Sequence, residues 1–173
     1  MLPPSRMSRE EFVATFGPVF ERSTWVAEDA FDGASGRDED GTLEGLHKVL
    51  CAAMRAANDG KKLALIRAHP DLAGRLAVAG ELTEASASEQ ASAGLGECTL
   101  EEFAKLDRLN TAYTERFGFP FIMAVKGSDR AAILAALEGR LENDPATEFG
   151  TALKEIERIA YFRLEDIFGD RGE

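Results

Sequence analysis

Cysteine and histidine are scarce in this chain, two of each among 173 residues. Cys51 and Cys98 stand far apart and lack partners at metal-ligand spacing. Zinc and iron–sulfur sites are therefore unsupported, and a structural disulfide is not expected. No apolar run approaches the length of a membrane span. The first residues, Met1 to Ser8, lack the apolar core of a signal peptide, and Asp170-Arg171-Gly172-Glu173 carries no peroxisomal or lipidation signal. A cytoplasmic protein is the expectation. Positive charge is in deficit: 20 Lys and Arg against 31 Asp and Glu leave a net charge of -11. That excludes a broad basic surface for nucleic acid, so a bound anion would need particular Arg or His groups in a pocket. Internal repeats, a Gly-rich phosphate loop and a credible β-hairpin are all missing.

What is present is helix punctuation. Hydrophobic residues make up 45% and charged residues 29%, ordinary values for one globular domain of this length. Ser8-Arg9-Glu10-Glu11 and Thr99-Leu100-Glu101-Glu102 read as capping boxes. Gly17-Pro18 ends one helix and starts another, with Val19, Phe20, Trp25 and Val26 as candidate core. Residues 31–41 form a loop rich in Gly and acid. Thr42 caps a segment whose Leu43, Leu46, Val49, Leu50, Ala53 and Met54 recur at helical spacing, with His47 one residue off the stripe as a boundary position. Asn58-Asp59-Gly60 reads as a turn before a short helix over 61–68. Asp71 can cap a further short helix ending near Gly80, and 82–87 reads as a connector. Gly94 and Gly96 then break a short helix. Gly118 is placed to stop a long one, Ser128 to start another, and Asp144-Pro145 to open the last, which runs to about Phe168. The spacing predicts an all-α, single-domain bundle of about eight or more helices, several short, spanning residues 1–173.

Four places could carry chemistry. His69 stands before Pro70, which disfavours the α region for the residue ahead of it. The preceding helix should stop there, leaving an imidazole at the negative end of the helix dipole, a setting for proton transfer as well as for a plain capped end. Ser86-Ala87-Ser88-Glu89-Gln90 fits a capping box from Ser86 to Glu89, the reading favoured by spacing; it would equally put a carboxylate and an amide on a first helical turn. The run 119–125 is too short and apolar for a surface helix, and its start is extended by Pro120. Its backbone groups must be paired, by neighbouring helices and water or by a ligand rich in amide groups. Arg163 falls on the apolar face of the last helix, where an Arg is seldom buried without an anionic partner. It either snorkels to the rim or aims into a pocket.

Taken together and in order, Phe12-Val13, Trp25-Val26, His69-Pro70-Asp71-Leu72-Ala73, Ser86-x-x-Glu89-Gln90 with Ala93-Gly94-Leu95, Leu109-Asn110-x-x-Tyr113, Phe117-Gly118-Phe119-Pro120-Phe121 and Arg158-Ile159-Ala160-x-x-Arg163-Leu164 resemble the 2-oxo-4-hydroxy-4-carboxy-5-ureidoimidazoline (OHCU) decarboxylases. That family performs the last of three steps from urate to (S)-allantoin. The resemblance covers nearly the whole chain. It departs over 32–40, which lacks an expected Pro-Phe pair. It implies an all-helical, generally dimeric enzyme that needs no metal or organic cofactor and takes a small ureidoimidazoline. It implies that His69 is catalytic and Glu89 the active-site carboxylate, and that Arg163 binds substrate. Pro70, Ser86, Ala87, Ser88 and Gln90, with Phe121, Ile122, Met123, Ala124 and Val125, would line the pocket. Two other functions stay open: another ureide hydrolase or lyase on the same scaffold, with His69 activating water, and a non-catalytic helical interaction module.

Overall fold

The structure, a computed structural model, describes residues 4–33, 41–72, 82–95 and 98–169. Among them are eight α-helices and no strand: α1 (Arg9–Phe16), α2 (Trp25–Asp32), α3 (Leu43–Ala56), α4 (Asp59–Ala68), α5 (Glu84–Ser92), α6 (Leu100–Phe117), α7 (Arg130–Arg140) and α8 (Pro145–Gly169). Short 3-10 turns at Pro4–Arg6 and Gly17–Val19 precede and follow α1. The all-α expectation, with several short helices, is met. The short helix expected from Asp71 to Gly80, and most of the acidic loop, lie outside the described residues. Among the described residues, no helix is long and apolar enough to cross a membrane.

The chain divides into two compact units, Met1–Ala68 with Glu157–Glu173, and His69–Ile156. In the first, α2 packs against α1 and α3. Phe12 meets Phe16 edge-on at 4.9 Å and Phe31 at 5.4 Å. The α3 stripe is as the spacing predicts, with Leu46, Leu50 and Met54 fully buried. Trp25, expected in the core, is only half-buried; Lys61 Nζ covers its ring at 4.7 Å and pairs with Asp29 at 3.1 Å. In the second unit α6 packs against α7. Tyr113, Phe119 and Phe121 form an aromatic core, with the Tyr113 ring 6.1 Å from Phe119 and 5.3 Å from Phe121.

The helix ends follow the side chains that satisfy orphan N–H groups. Both expected capping boxes form, at Ser8 with Glu11 and at Thr99 with Glu102. The backbone N–H of Ser8 holds the Glu11 carboxyl below its usual range, and that of Thr99 does the same for Glu102. Lowered folded-state values mean that this help is present above the ordinary carboxylate range and lost as pH falls through the folded value. Asp144 Oδ1 accepts from Ala146 N and Thr147 N, both at 3.0 Å, opening α8 as expected. Three boundaries differ. Asn58 is a cap rather than a turn residue, its Oδ1 accepting from Lys61 N at 2.9 Å. Asp129, not Ser128, caps α7, accepting from Ala132 N at 2.8 Å. The supposed connector 82–87 is already helical from Glu84, because Thr83 caps α5 by accepting from Ser86 N.

Gly118 ends α6 in the left-handed region at φ 75°, where a Cβ is strained. Gly118→Ala should lower stability by about 1 kcal/mol, read as a shifted urea midpoint at constant slope. An unshifted midpoint would mean that the cap relaxes at no cost.

Candidate active site

α4 ends at Ala68, one residue before the His69-Pro70 pair, as proline predicts. His69 is buried, 7% exposed, and Pro70, past the helix end, is half-buried. The following residues are tied to two helices. Gln90 Nε2 of α5 donates to Asp71 O at 3.5 Å, and Asn110 Nδ2 of α6 donates to Leu72 O at 2.9 Å. The structure therefore brings the buried face of α5 to the stretch that carries His69. Among the described residues, Asp71 Oδ1 and Asn110 Oδ1 are buried polar atoms with no hydrogen-bond partner. Burial first, and the charge of Asp107 second, push the Asp71 carboxyl above its usual range.

On α5 the capping-box reading of Ser86 is overturned. Thr83 takes that position, so Ser86, Glu89 and Gln90 sit one turn further into the helix. The local rule S/T-x-x-E was met by a residue that an equally good cap preceded. Helical geometry then divides the expected pocket stretch. Ser86 and Gln90, four apart, are buried, and Glu89 beside them is half-buried. Ala87 and Ser88 are exposed, turned away from that face.

The run 119–125 is neither helix nor strand and bends at Phe119, and Phe121, Ile122, Ala124 and Val125 are buried with Met123 half-exposed. Charged side chains pair two of its backbone groups. Arg140 Nη1 donates to Ile122 O at 2.6 Å, and Glu155 Oε2 accepts from Ala124 N at 2.8 Å. Val125 O accepts from Ser128 N at 2.9 Å, closing a turn. The Arg140 guanidinium also lies 4.5 Å over the Phe121 ring. Behind Arg140 stands Glu148, fully buried, accepting from Arg140 Nε at 2.7 Å, from Asn143 Nδ2 at 2.7 Å and from the Tyr113 hydroxyl. Burial and the Glu148 contact push the Tyr113 hydroxyl far above its usual range, so it is always a donor here. Among the described residues no hydrogen bond reaches the backbone of Met123. The sequence reading missed Arg140, Glu148 and Glu155. The available signal was their helical spacing beside an extended run that needed partners.

Arg163 belongs to the first unit. It is buried, 7% exposed, which excludes snorkelling to the rim. Its Nη2 is 3.1 Å from Glu21 Oε2, and its Nη1 donates to Val19 O at 3.4 Å. Glu21 is itself buried, 2% exposed, and was not foreseen. It sits in a turn closed by Ser23 N donating to Phe20 O at 3.0 Å, and the next residue, Arg22, has φ 47°. His47 lies at a boundary, as expected. Its Nε2 donates to Glu157 O at 2.8 Å, with Cys51 Sγ 3.3 Å from the same nitrogen. Arg55 grips the Glu157 carboxylate with two N–H groups, at 2.6 and 2.5 Å. Cys51 and Cys98 are free thiols. Among the described residues no group of three or more His, Cys, Asp or Glu is placed to hold a metal ion.

Known structures define the class first. The crystal structure of (S)-allantoin synthase shares this all-helical fold with a TM-score of 0.75 at 29% identity, over 94% of this chain and 52% of that one. A crystal structure of OHCU decarboxylase in the presence of (S)-allantoin shares the fold with a TM-score of 0.68 at 23% identity. The chain belongs to the OHCU decarboxylase family, whose family model matches residues 5–165. It is 43% identical over 164 residues to the 2-oxo-4-hydroxy-4-carboxy-5-ureidoimidazoline decarboxylase of Haloferax volcanii, covering 95% of this chain and 93% of that protein. It is 38% identical to the mouse decarboxylase, covering 98% of this chain and 93% of that one. It is also 39% identical to the uric acid degradation bifunctional protein of Bacillus sp., of which it matches 31%.

Removing the Glu148 carboxylate would leave the largely buried Arg140 without its anion. Glu148→Ala should therefore cost about 3–5 kcal/mol of stability, measured by urea denaturation. A loss below 1 kcal/mol would show that Arg140 finds another partner.

Proposed function

We propose that this protein decarboxylates OHCU to (S)-allantoin in urate degradation, without metal or organic cofactor, as one catalytic domain over residues 1–173. The observation that carries the proposal is the family match from residue 5 to residue 165, a span that includes every residue assigned below. Relatives named as this decarboxylase at 37–43% identity over most of the chain support it.

The chemistry suits the residue types. When the C–CO2 bond breaks, CO2 leaves and the bonding pair passes into the ring, where the neighbouring imine delocalises it. The imine nitrogen that receives the pair takes up a proton, the substrate hydroxyl loses its proton as it becomes a carbonyl, and a proton delivered to one face of the ureido-bearing carbon sets the (S) product. Overall one proton is taken up. His69, buried beyond the end of α4, is the proton donor and acceptor in this scheme. Burial suits it to hand a proton to one face while excluding water. Glu89 orients His69 or the ring N–H groups. Arg163 offers a fixed fork to ureido or ring oxygens. Pro70, Ser86, Ala87, Ser88, Gln90 and the segment Phe121, Ile122, Met123, Ala124 and Val125 are assigned to the pocket lining. The buried placement of Ser86 and Gln90 favours those two over the exposed Ala87 and Ser88. Within this segment, the half-exposed Met123 offers its backbone to a ligand. The protein is further proposed to be cytoplasmic and homodimeric, a state that light scattering on the purified protein tests.

His69→Ala should lower the decarboxylation rate by on the order of 10²–10⁴-fold with the helical circular dichroism intact. An unchanged rate would remove His69 from the mechanism. Supplying OHCU and the preceding hydroxyisourate side by side asks which is consumed; turnover of hydroxyisourate alone would replace the decarboxylase with a ureide hydrolase. Arg163→Lys keeps the charge but not the fork, and should raise KM on the order of tenfold, whereas a wild-type KM would exclude Arg163 from substrate binding.

A further inference from the structure

The Arg163 guanidinium does not stand in its setting as an unmatched positive charge. Glu21 Oε2 is 3.1 Å from its Nη2, and the two side chains are 2% and 7% exposed. Val19 O accepts from Nη1 at 3.4 Å. At this depth a short charge pair is far less screened than in water, so each partner largely cancels the field of the other. The acid is supplied from a turn whose next residue, Arg22, is held at φ 47°. A non-glycine residue in the left-handed region is a conformation that persists only where surrounding contacts impose it.

Cancelling that charge changes what Arg163 recognises. A lone guanidinium prefers a carboxylate, through charge. One already matched by a buried acid binds through the direction of its N–H groups, and so serves neutral acceptors such as ureido and ring carbonyl oxygens. For a decarboxylation this matters. A cation on the departing carboxylate stabilises the ground state, in which the charge sits on that group, more than the transition state, from which it has moved into the ring. We propose that Glu21 is a positioning and specificity-determining residue: it fixes the Arg163 fork and masks its charge, so that Arg163 holds the neutral ureide part of the substrate and not its carboxylate. This rests on Arg163 being a substrate-binding residue.

The test uses two ligands of nearly equal size, (S)-allantoin and the open-chain carboxylate formed by hydrolysing its ring, with calorimetric affinities for each and steady-state kinetics on OHCU. Glu21→Gln keeps the shape of the side chain and removes its charge. It should shift the affinity ratio toward the carboxylate on the order of tenfold. It should also lower KM and kcat together, the signature of a more stabilised ground state. Glu21→Asp keeps the charge but draws it back by one methylene. KM should rise, kcat should hold, and the ligand preference should stay that of wild type. A purely structural Glu21 would lower the melting temperature in both variants and leave the affinity ratio of the folded protein alone. An unshifted ratio in Glu21→Gln, or an unchanged KM in Glu21→Asp, overturns the proposal, so it stays testable if one variant does not fold. Failure of the decarboxylase function itself is seen separately, as absent OHCU turnover by wild type, and the two-ligand comparison still decides the role of Glu21.

Discussion

An irregular stretch of backbone buried among helices has no regular ladder to pair with, and the second unit is built around that constraint. Each unpaired N–H or C=O in such a run is a desolvated polar group that folding must satisfy. Here two of those groups take charged side chains as partners, and Val125 O takes the backbone N–H of Ser128. Arg140 reaches Ile122 O and Glu155 takes Ala124 N. Arg140 can be spared for this only because Glu148, with Tyr113 and Asn143 around it, supplies the balancing carboxylate. The segment proposed to line the pocket is thus tied at Ile122 and Ala124 to charged side chains behind it, the kind of support a site for a small polar ligand requires.

The first unit solves a similar problem with fewer parts. Arg163 is buried on the apolar face of α8, and Glu21, brought by a turn between the Gly17–Val19 turn and α2, makes that burial tolerable. In both units a guanidinium in the interior is matched by one nearby carboxylate and also donates to a backbone carbonyl, of Ile122 in one case and Val19 in the other. Buried pairs of this kind contribute more to defining a geometry than to net stability.

Helix identity was legible in the sequence wherever a side chain does the punctuating. The caps at Ser8, Thr42, Thr99 and Asp144, the stop at Gly118 and the break before Pro70 all depend on neighbours within four residues, and all stand as expected. The errors are local competitions. Thr83 and Ser86 both satisfy the capping rule, and the earlier residue wins because Glu84 and Ala85 are good helix formers. The same competition explains why Ala87 and Ser88, contiguous with the assigned residues, face away from Gln90. What could not be read were partners far apart in sequence: Glu21 for Arg163 and Glu148 for Tyr113. The sequence could state that a buried Arg needs an anion. Which of 31 acids supplies it is decided by tertiary packing.

The contact between His47 and Cys51 looks like a nucleophile beside its base, yet its geometry dictates the reverse. The imidazole Nε2 gives its hydrogen to Glu157 O, so that nitrogen has no lone pair with which to deprotonate sulfur. Burial first, and the Glu157 carboxylate second, push the Cys51 thiol up to about 12. At neutral pH the sulfur is therefore protonated and unreactive toward electrophiles and peroxides. Cys98 is the less buried of the two thiols, and burial first, with the Glu102 carboxylate second, raises its thiol as well.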